Sequence, residues 1–427
     1  MSLSTDISFE RTVLDNGMRI VTSTMPYTRA VSVSVYVGVG SRYESDEKAG
    51  ISHVLEHLVF KGTERRPAPL DISGGIEGLG GVLNAGTEQE LTVYWCKVAV
   101  TYLEESLDLL LDMVRNSVYD SDELERELMV VIEEQNMVND QPSSKVEQLI
   151  DGLLWPDHPL GRDIGGTHES VSKMTRDMIL EHAERYYFPG NIVVSVAGNV
   201  AHEHVVSVVS SLTNGWLSHT IPDWTKFDSE KYGPEIQIEY RKTEQSHLAI
   251  ALPGLSIDHP DRYAADLLSV VLGEGMSSRL FVEVREKQGL AYEINSSNTY
   301  FMDCGALLIM AGVDPKNVQR AVSTILNEVS SLRYQLPEQE LDKAKRMSTG
   351  IMALRMEDTR AVSAWMGTQE LLLDRILEFE EVVNRVNQVT IDDINRVAND
   401  LLKTNHLKMA VVGPHRGSAR LMQVLRL

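Results

Sequence analysis

The chain has 427 residues, of which 43% are apolar and 24% charged, and carries a formal net charge of −22. That is apolar material for two cores of about 210 residues each, while so acidic a chain lacks the basic excess a phosphate-binding surface needs, which argues against a nucleic-acid partner. No run approaches the roughly 20 apolar residues that span a bilayer, and the opening Met1 to Ser8 is too polar for a signal peptide, so the expectation is a cytoplasmic protein with no membrane segment.

Ala30 to Val37 alternates in the manner of a strand. Ala49 to Phe60 follows with Ile51, Val54, Leu55, Leu58 and Val59 at helical spacing and Gly62 as a stop signal, so it reads as a largely buried helix. That helix carries His53, Glu56 and His57. Residues i and i+4 lie about 40° apart around a helix and about 6 Å along it, so both imidazoles can point at one ion. Glu56 falls on a flanking stripe, placed to take a proton from a metal-held water without occupying a ligand position. The order inverts the commoner His-Glu-x-x-His and matches the inverted zincin pattern. A surface helix with two histidines satisfies the same spacing. Buried imidazoles and a buried carboxylate, however, need partners, and a zinc ion is one way of satisfying all three. A catalytic zinc usually keeps three protein ligands, so a third donor is expected elsewhere.

Gly74, Gly75, Gly80 and Gly81 form a cluster without the Lys-Ser or Lys-Thr of a phosphate loop, and it reads as a flexible turn before a strand at Leu83 to Thr87. Asn84, by its side chain alone, equally suits the cap of a turn. Asp122 to Asn139 is strongly helical, with Ser121 or Asp122 as N-cap. Glu127 and Glu134 are seven apart and share one face, while Glu133 turns about 100° away. Glu134 can be the third ligand with Glu127 orienting the site behind it; a solvated acidic face is the other reading, and spacing does not choose.

The second half repeats features of the first. Thr175, Asp177, Ile179 and Ala183 recur as Thr390, Asp392, Ile394 and Ala398, and Asn191 to Gly198 is echoed by Asn405 to Gly413. Carried over by about 215 residues, the positions of His53, Glu56 and His57 become Leu268, Val271 and Leu272, none a zinc ligand. The expected organisation is a metal-binding domain over 1–215, a Pro- and Gly-containing connector over 216–235 and a metal-free domain over 236–427, in an α+β architecture. Cys96 and Cys304 lie in different halves within apolar segments and read as core thiols.

Several stretches together resemble the M16 family of inverted-zincin metallopeptidases, which includes insulin-degrading enzyme, pitrilysin and the mitochondrial processing peptidases, and are most similar to its short bacterial M16B members. They are Leu14 to Val21, Gly38 to Arg42, Gly50 to Thr63, Gly80 to Thr87 with Thr92 and Tyr94, Arg126-Glu127 to Glu134, His158 to Arg162 and Tyr187 to Asn191. Gly273 to Phe281 and Glu283 to Tyr292 continue the likeness into the second half. The resemblance implies one zinc per chain held by His53, His57 and Glu134, with Glu127 behind them and Glu56 as general base. It implies that Arg285 and Tyr292 complete the site, although by themselves they also read as a surface ion pair and a half-buried strand residue. Tyr292 would meet the developing oxyanion and Arg285 the peptide backbone. Asn84 and Ala85 resemble the family's edge strand, where an extended peptide adds by main-chain hydrogen bonds. The implied fold is two related domains, each a mostly antiparallel sheet backed by helices, facing one another across a chamber. The implied function is an endopeptidase for short or unfolded peptides, working as a homodimer; a non-catalytic or partner-dependent subunit of a heterodimer is the alternative within the same family.

Overall fold

The computed structural model describes residues 9–228, 233–334 and 336–427. Met1 to Ser8, read above as too polar for a signal peptide, and 229–232 of the expected connector lie outside the described residues. The strands form two sheets. The first has the order β1 (Phe9–Val13), β2 (Arg19–Thr24), β6 (Ile192–Gly198), β3 (Ala30–Val37), β5 (Thr92–Ala99), β4 (Val82–Thr87). Only β2 and β6 run parallel; every other neighbouring pair is antiparallel. The second sheet has the order β7 (Glu235–Tyr240), β11 (Lys408–Gly413), β8 (Ser246–Pro253), β10 (Gly305–Val313), β9 (Ala291–Tyr300), again with a single parallel pair, β7 and β11. From β2 onward the first sheet and the whole of the second share one plan, so the repeated sequence features express a repeated topology. The α+β class with two mostly antiparallel sheets and helices is as expected.

The chain folds as two compact units. One comprises 1–135, 163–225 and 352–381, the other 136–162, 226–351 and 382–427. Each is discontinuous because each sheet is covered by a helix drawn from the other half of the sequence. In the first unit the helix Thr359–Leu373 lies on β3 and β6. Its contact is partly apolar, with Val362 and Met366 clustered against Val21, Tyr36, Val193 and Ala197, and partly polar: Ser32 Oγ pairs with Thr359 Oγ1 at 2.9 Å, Ser34 Oγ with Ser363 Oγ at 2.8 Å, and Ser195 Oγ donates to the Ser363 carbonyl at 2.8 Å. Gly367 passes over Tyr36 so closely that a Cβ there would sit 2.2 Å from the ring. The fully buried Glu370 carboxylate receives two hydrogen bonds from Arg11, both 2.9 Å, which satisfies a charge that would be costly unpaired. In the second unit the helix Pro142–Leu154 lies on β8 and β11, where Val146, Ile150, Leu153 and Leu154 cluster with the small Ala249, Ala251 and Ala410.

Two local expectations need correction. Gly74 and Gly75 are inside the helix Pro69–Glu77, with Gly75 close enough to Leu109 that a Cβ would meet it at 2.6 Å; the turn is confined to Gly78–Gly81, with Gly80 at φ +73°. The helix Ser121–Asp140 is capped by Asp120, whose Oδ1 accepts from the backbone N–H groups of Asp122 and Glu123 at 2.9 and 3.1 Å, not by Ser121 or Asp122.

Gly367→Ala should lower the urea midpoint, an overpacking cost of about 1–3 kcal/mol. Gly350→Ala, on the helix Glu338–Arg355 where a Cβ meets nothing within 4 Å, should instead gain up to about 1 kcal/mol in helix propensity. Equal effects at the two glycines would contradict the close packing of Thr359–Leu373 on β3.

Candidate active site

The helix Ile51–Val59 is anchored in the core by Ile51, Val54, Leu55, Leu58 and Val59, all fully buried. Its N-terminus is capped from outside: the Glu44 carboxylate accepts from the backbone N–H of Gly50 at 2.7 Å and of Ser52 at 2.8 Å. Gly50, at φ +91°, passes the Gly165 carbonyl so closely that a Cβ would stand 2.5 Å from it. The apolar face therefore fixes the rotation of the helix and presents His53, Glu56 and His57, all half-buried, on the remaining stripe.

Glu134, on the helix Ser121–Asp140, meets that stripe. Its Oε2 is 3.5 Å from His57 Nε2 and 3.8 Å from His53 Nε2, and one donor atom from each of the three residues lies within 4.8 Å of the others. Among the described residues this is the one cluster of three or more His, Cys, Asp or Glu able to hold a metal. Tetrahedral ligands at about 2.0–2.1 Å from zinc stand roughly 3.3 Å apart, so the set fits such an ion with small adjustment. The ring chemistry fits too. His57 Nδ1 lies 3.0 Å from Glu127 Oε2, and since a carboxylate only accepts, Nδ1 carries the proton and Nε2 turns its lone pair toward Glu134. Lys61 holds the other Glu127 oxygen at 2.6 Å. His53 Nδ1, beside Gly165, is buried without a hydrogen-bond partner among the described residues, so the burial of that nitrogen is uncompensated there.

The electrostatics separate the two imidazoles. Burial, reinforced by the neighbouring His57, pushes His53 down to about 4. Burial also pulls on His57, but the Glu127 hydrogen bond and the charges of Glu134, Glu127 and Glu56 outweigh it and raise its pKa. Burial works to raise Glu127, yet its bonds to His57 and Lys61 prevail and hold it below the usual carboxylate range. Glu56 lies above that range because of burial, only partly offset by hydrogen bonds from Thr87. Glu56 Oε2 accepts the Thr87 hydroxyl at 2.5 Å.

Thr87 ends β4, the edge strand of its sheet, which also carries Asn84 and Ala85. Asn84 is exposed within the strand rather than capping a turn, and its Oδ1 accepts from the Ala85 N–H at 2.8 Å. Arg285 and Tyr292 belong to the second unit and are brought together there. Arg285 is on the π-helical segment Phe281–Lys287, and its guanidinium stacks 4.6 Å from the Phe281 ring and 4.9 Å from that of Tyr292, which is 76% exposed at the start of β9. The counterpart helix there, Arg262–Gly273, buries Leu268, Val271 and Leu272 among its apolar residues. Cys96 is buried on β5 and Cys304 partly buried, and burial pushes the Cys96 thiol up to about 11. Sequence reasoning missed Glu44, Lys61 and the role of Thr87. Only Lys61, four residues after His57 on the same stripe, left a periodic signal.

Residues 19–168 match the model of "Insulinase (Peptidase family M16)" and 173–348 that of "Peptidase M16 inactive domain". Proteins curated as uncharacterized zinc proteases are 38% identical in Mycobacterium leprae (98% of this chain, 94% of the relative) and 34% identical in Bacillus subtilis (95% and 98%). The chain belongs to the M16 peptidase family. The crystal structure of a protease from Helicobacter pylori superposes on this M16 chain with TM-score 0.91 at 25% identity, covering 96% of this chain and all of that one. A Pseudomonas fluorescens structure described as a peptidase M16 inactive domain shares the fold at TM-score 0.86 and 19% identity, covering 96% and 98%. Family membership supports a peptidase-family function, and zinc appears in the names of those relatives. No helix among the described residues is long and apolar enough to cross a membrane.

In metal-free protein the two imidazoles should titrate on opposite sides of 6.5, His53 near 4 and His57 above it, read by histidine NMR, and Glu127→Gln should bring His57 down. With a raised folded pKa, His57 contributes stability that is full below 6.5 and lost as pH rises through its folded value. With a depressed one, His53 costs stability as pH falls from 6.5 toward 4, where the unfolded ring protonates and the folded one does not. Coincident titrations would contradict the Glu127–His57 bond.

Proposed function

We propose that this M16 protein is a zinc-dependent endopeptidase that hydrolyses short or unfolded peptides, with one zinc per chain on His53, His57 and Glu134 and with Glu56 as general base. The observation that carries the reading is the three-donor cluster with Glu56 beside it but bonded away from it, to Thr87. Bound there, zinc supplies Lewis acidity that lowers the pKa of water to about 7 and polarises the scissile carbonyl.

The chain's own groups do the rest. Glu56 takes the proton of the attacking water on its carboxylate, whose pKa burial has raised toward working pH, and delivers it to the leaving amine nitrogen. Glu127, itself held by Lys61, keeps His57 in the tautomer whose Nε2 is free to coordinate. Asn84 and Ala85, on the open edge of β4, take an extended peptide by main-chain hydrogen bonds, which gives broad sequence tolerance. On the family resemblance we add Arg285 as a holder of the peptide backbone and Tyr292, whose phenol is exposed, as a donor to the carbonyl oxygen as negative charge builds on it. Pairing of two chains belongs to the same reading and is tested by light scattering.

The test is hydrolysis of a quenched fluorescent peptide library. The zinc-loaded protein should cleave, a chelator should abolish cleavage and added zinc restore it. Glu56→Gln should keep its zinc and lose about 10²–10⁴-fold in kcat, whereas His53→Ala should lose the metal. A wild type that binds zinc yet cuts nothing would overturn the endopeptidase reading in favour of a partner-dependent subunit.

A further inference from the structure

We infer that Thr87 is a positioning residue for the Glu56 carboxylate, a clamp from the edge strand that keeps this acid out of the metal-donor set and aimed at the reacting water. The inference rests on the reading of Glu56 as general base.

Glu56 is one residue from His57, and the charges of His57 and Glu134 both act on it, attraction from one and repulsion from the other. A glutamate has three rotatable bonds, so nothing in its own chain prevents its carboxylate from swinging in as a fourth ligand. Such a swing would close the position that water must occupy in a catalytic site. The three-donor cluster nevertheless excludes Glu56. What holds it away is the 2.5 Å bond from the Thr87 hydroxyl to Oε2, joined by a hydrogen bond from the Thr87 backbone. Oε2 of the carboxylate is thereby engaged by the Thr87 hydroxyl.

The clamp is built to be rigid. Threonine is stiff at χ1 because it branches at Cβ. In the ladder Thr87 faces Thr92 of β5, and the buried Thr92 hydroxyl is tied to the Val39 carbonyl at 2.8 Å. Thr87 also ends the strand bearing Asn84 and Ala85, so the element proposed to dock the peptide backbone is the one that fixes the base. Valine, with the same shape and no hydroxyl, removes the side-chain bond alone.

The experiment compares zinc-loaded wild type, Thr87→Val, Thr87→Ser, Glu56→Gln and the Thr87→Val/Glu56→Gln double variant for kcat, KM, zinc content and thermal midpoint. Thr87→Val should keep zinc and midpoint, hold KM within about twofold and lose about 10- to 100-fold in kcat, as expected when an outer partner of a site is removed. Thr87→Ser should recover most of the loss, and in the Glu56→Gln background Thr87→Val should cost nothing further. The inference is overturned if Thr87→Val has wild-type kcat, if it raises KM with kcat unchanged, if it sheds zinc, or if its effect persists undiminished without the Glu56 carboxylate. Should Glu56→Gln itself match wild type, the general-base reading fails instead, whatever Thr87 does.

Discussion

Two imidazoles and a carboxylate on one turn of an otherwise apolar helix are the constraint to which the first unit answers. Ile51, Val54, Leu55, Leu58 and Val59 bury the helix and, in doing so, carry His53, Glu56 and His57 partly out of water. Each polar group then needs a partner, because an unsatisfied one costs on the order of 1–3 kcal/mol and more if charged. The partners come from different elements: Glu127 from the helix Ser121–Asp140, Thr87 from β4, Lys61 from just beyond the helix's own end, and Glu44 for the free N–H groups at its start. His53 Nδ1 has no hydrogen-bond partner among the described residues. The donor set is thus assembled by satisfying its neighbours one at a time, and the three atoms left over are those that face one another.

The sheet behind this site solves a second polar problem. β3 is buried on both faces: Val31, Val33 and Val35 enter the main core, while Ser32, Ser34 and Tyr36 point the other way. Alternation of this kind normally marks a strand with one wet face. Here the small hydroxyls meet hydroxyls and carbonyls of the helix Thr359–Leu373, and Gly367 lets that helix settle against Tyr36. The buried Glu370, ringed by arginines from β1 and β2, ties the same helix to the neighbouring strands. A polar face needs a polar cover, and the cover comes from more than 300 residues away in sequence.

That distance decides what could be read from the sequence. The His53–His57 spacing and the seven-residue step from Glu127 to Glu134 were legible because the α-helix fixes which residues share a face, whatever the tertiary context. The strand β3 was legible from its period, and the correspondence of β6 with β11 from repetition. The exchange of covering helices was not, since Ser32 and Ser34 look the same in a chain whether they face water or a helix. The hydroxyl of Thr87, the cap from Glu44 and the capping of Ser121–Asp140 by Asp120 were missed for a related reason: each is a local contact of one side chain, without a period. Gly74 and Gly75 misled in the opposite direction: both lie inside a helix, and at Gly75 close approach to Leu109, not turn formation, is what calls for a small residue.

The duplicated topology shows what the metal-donor set demands by showing a copy without it. In the second unit the helix Arg262–Gly273 buries Leu268, Val271 and Leu272 and needs no carboxylates to orient rings. It ends on Gly273, where even a Cβ would strike Ser296 of β9 at 2.5 Å, so helix and edge strand close directly on each other. In the first unit the corresponding helix Ile51–Val59 is joined to β4 by the Glu56–Thr87 bond. The same sheet plan therefore supports two solutions: a helix that meets its edge strand through small residues and neutral hydroxyl and amide bonds, as between Ser269 and Ser296, and a helix whose carboxylate is bonded to the edge strand beside a donor cluster. Thr87 and Ser296 stand on equivalent edge strands, one bonded to the Glu56 carboxylate and the other to the Ser269 carbonyl of its helix.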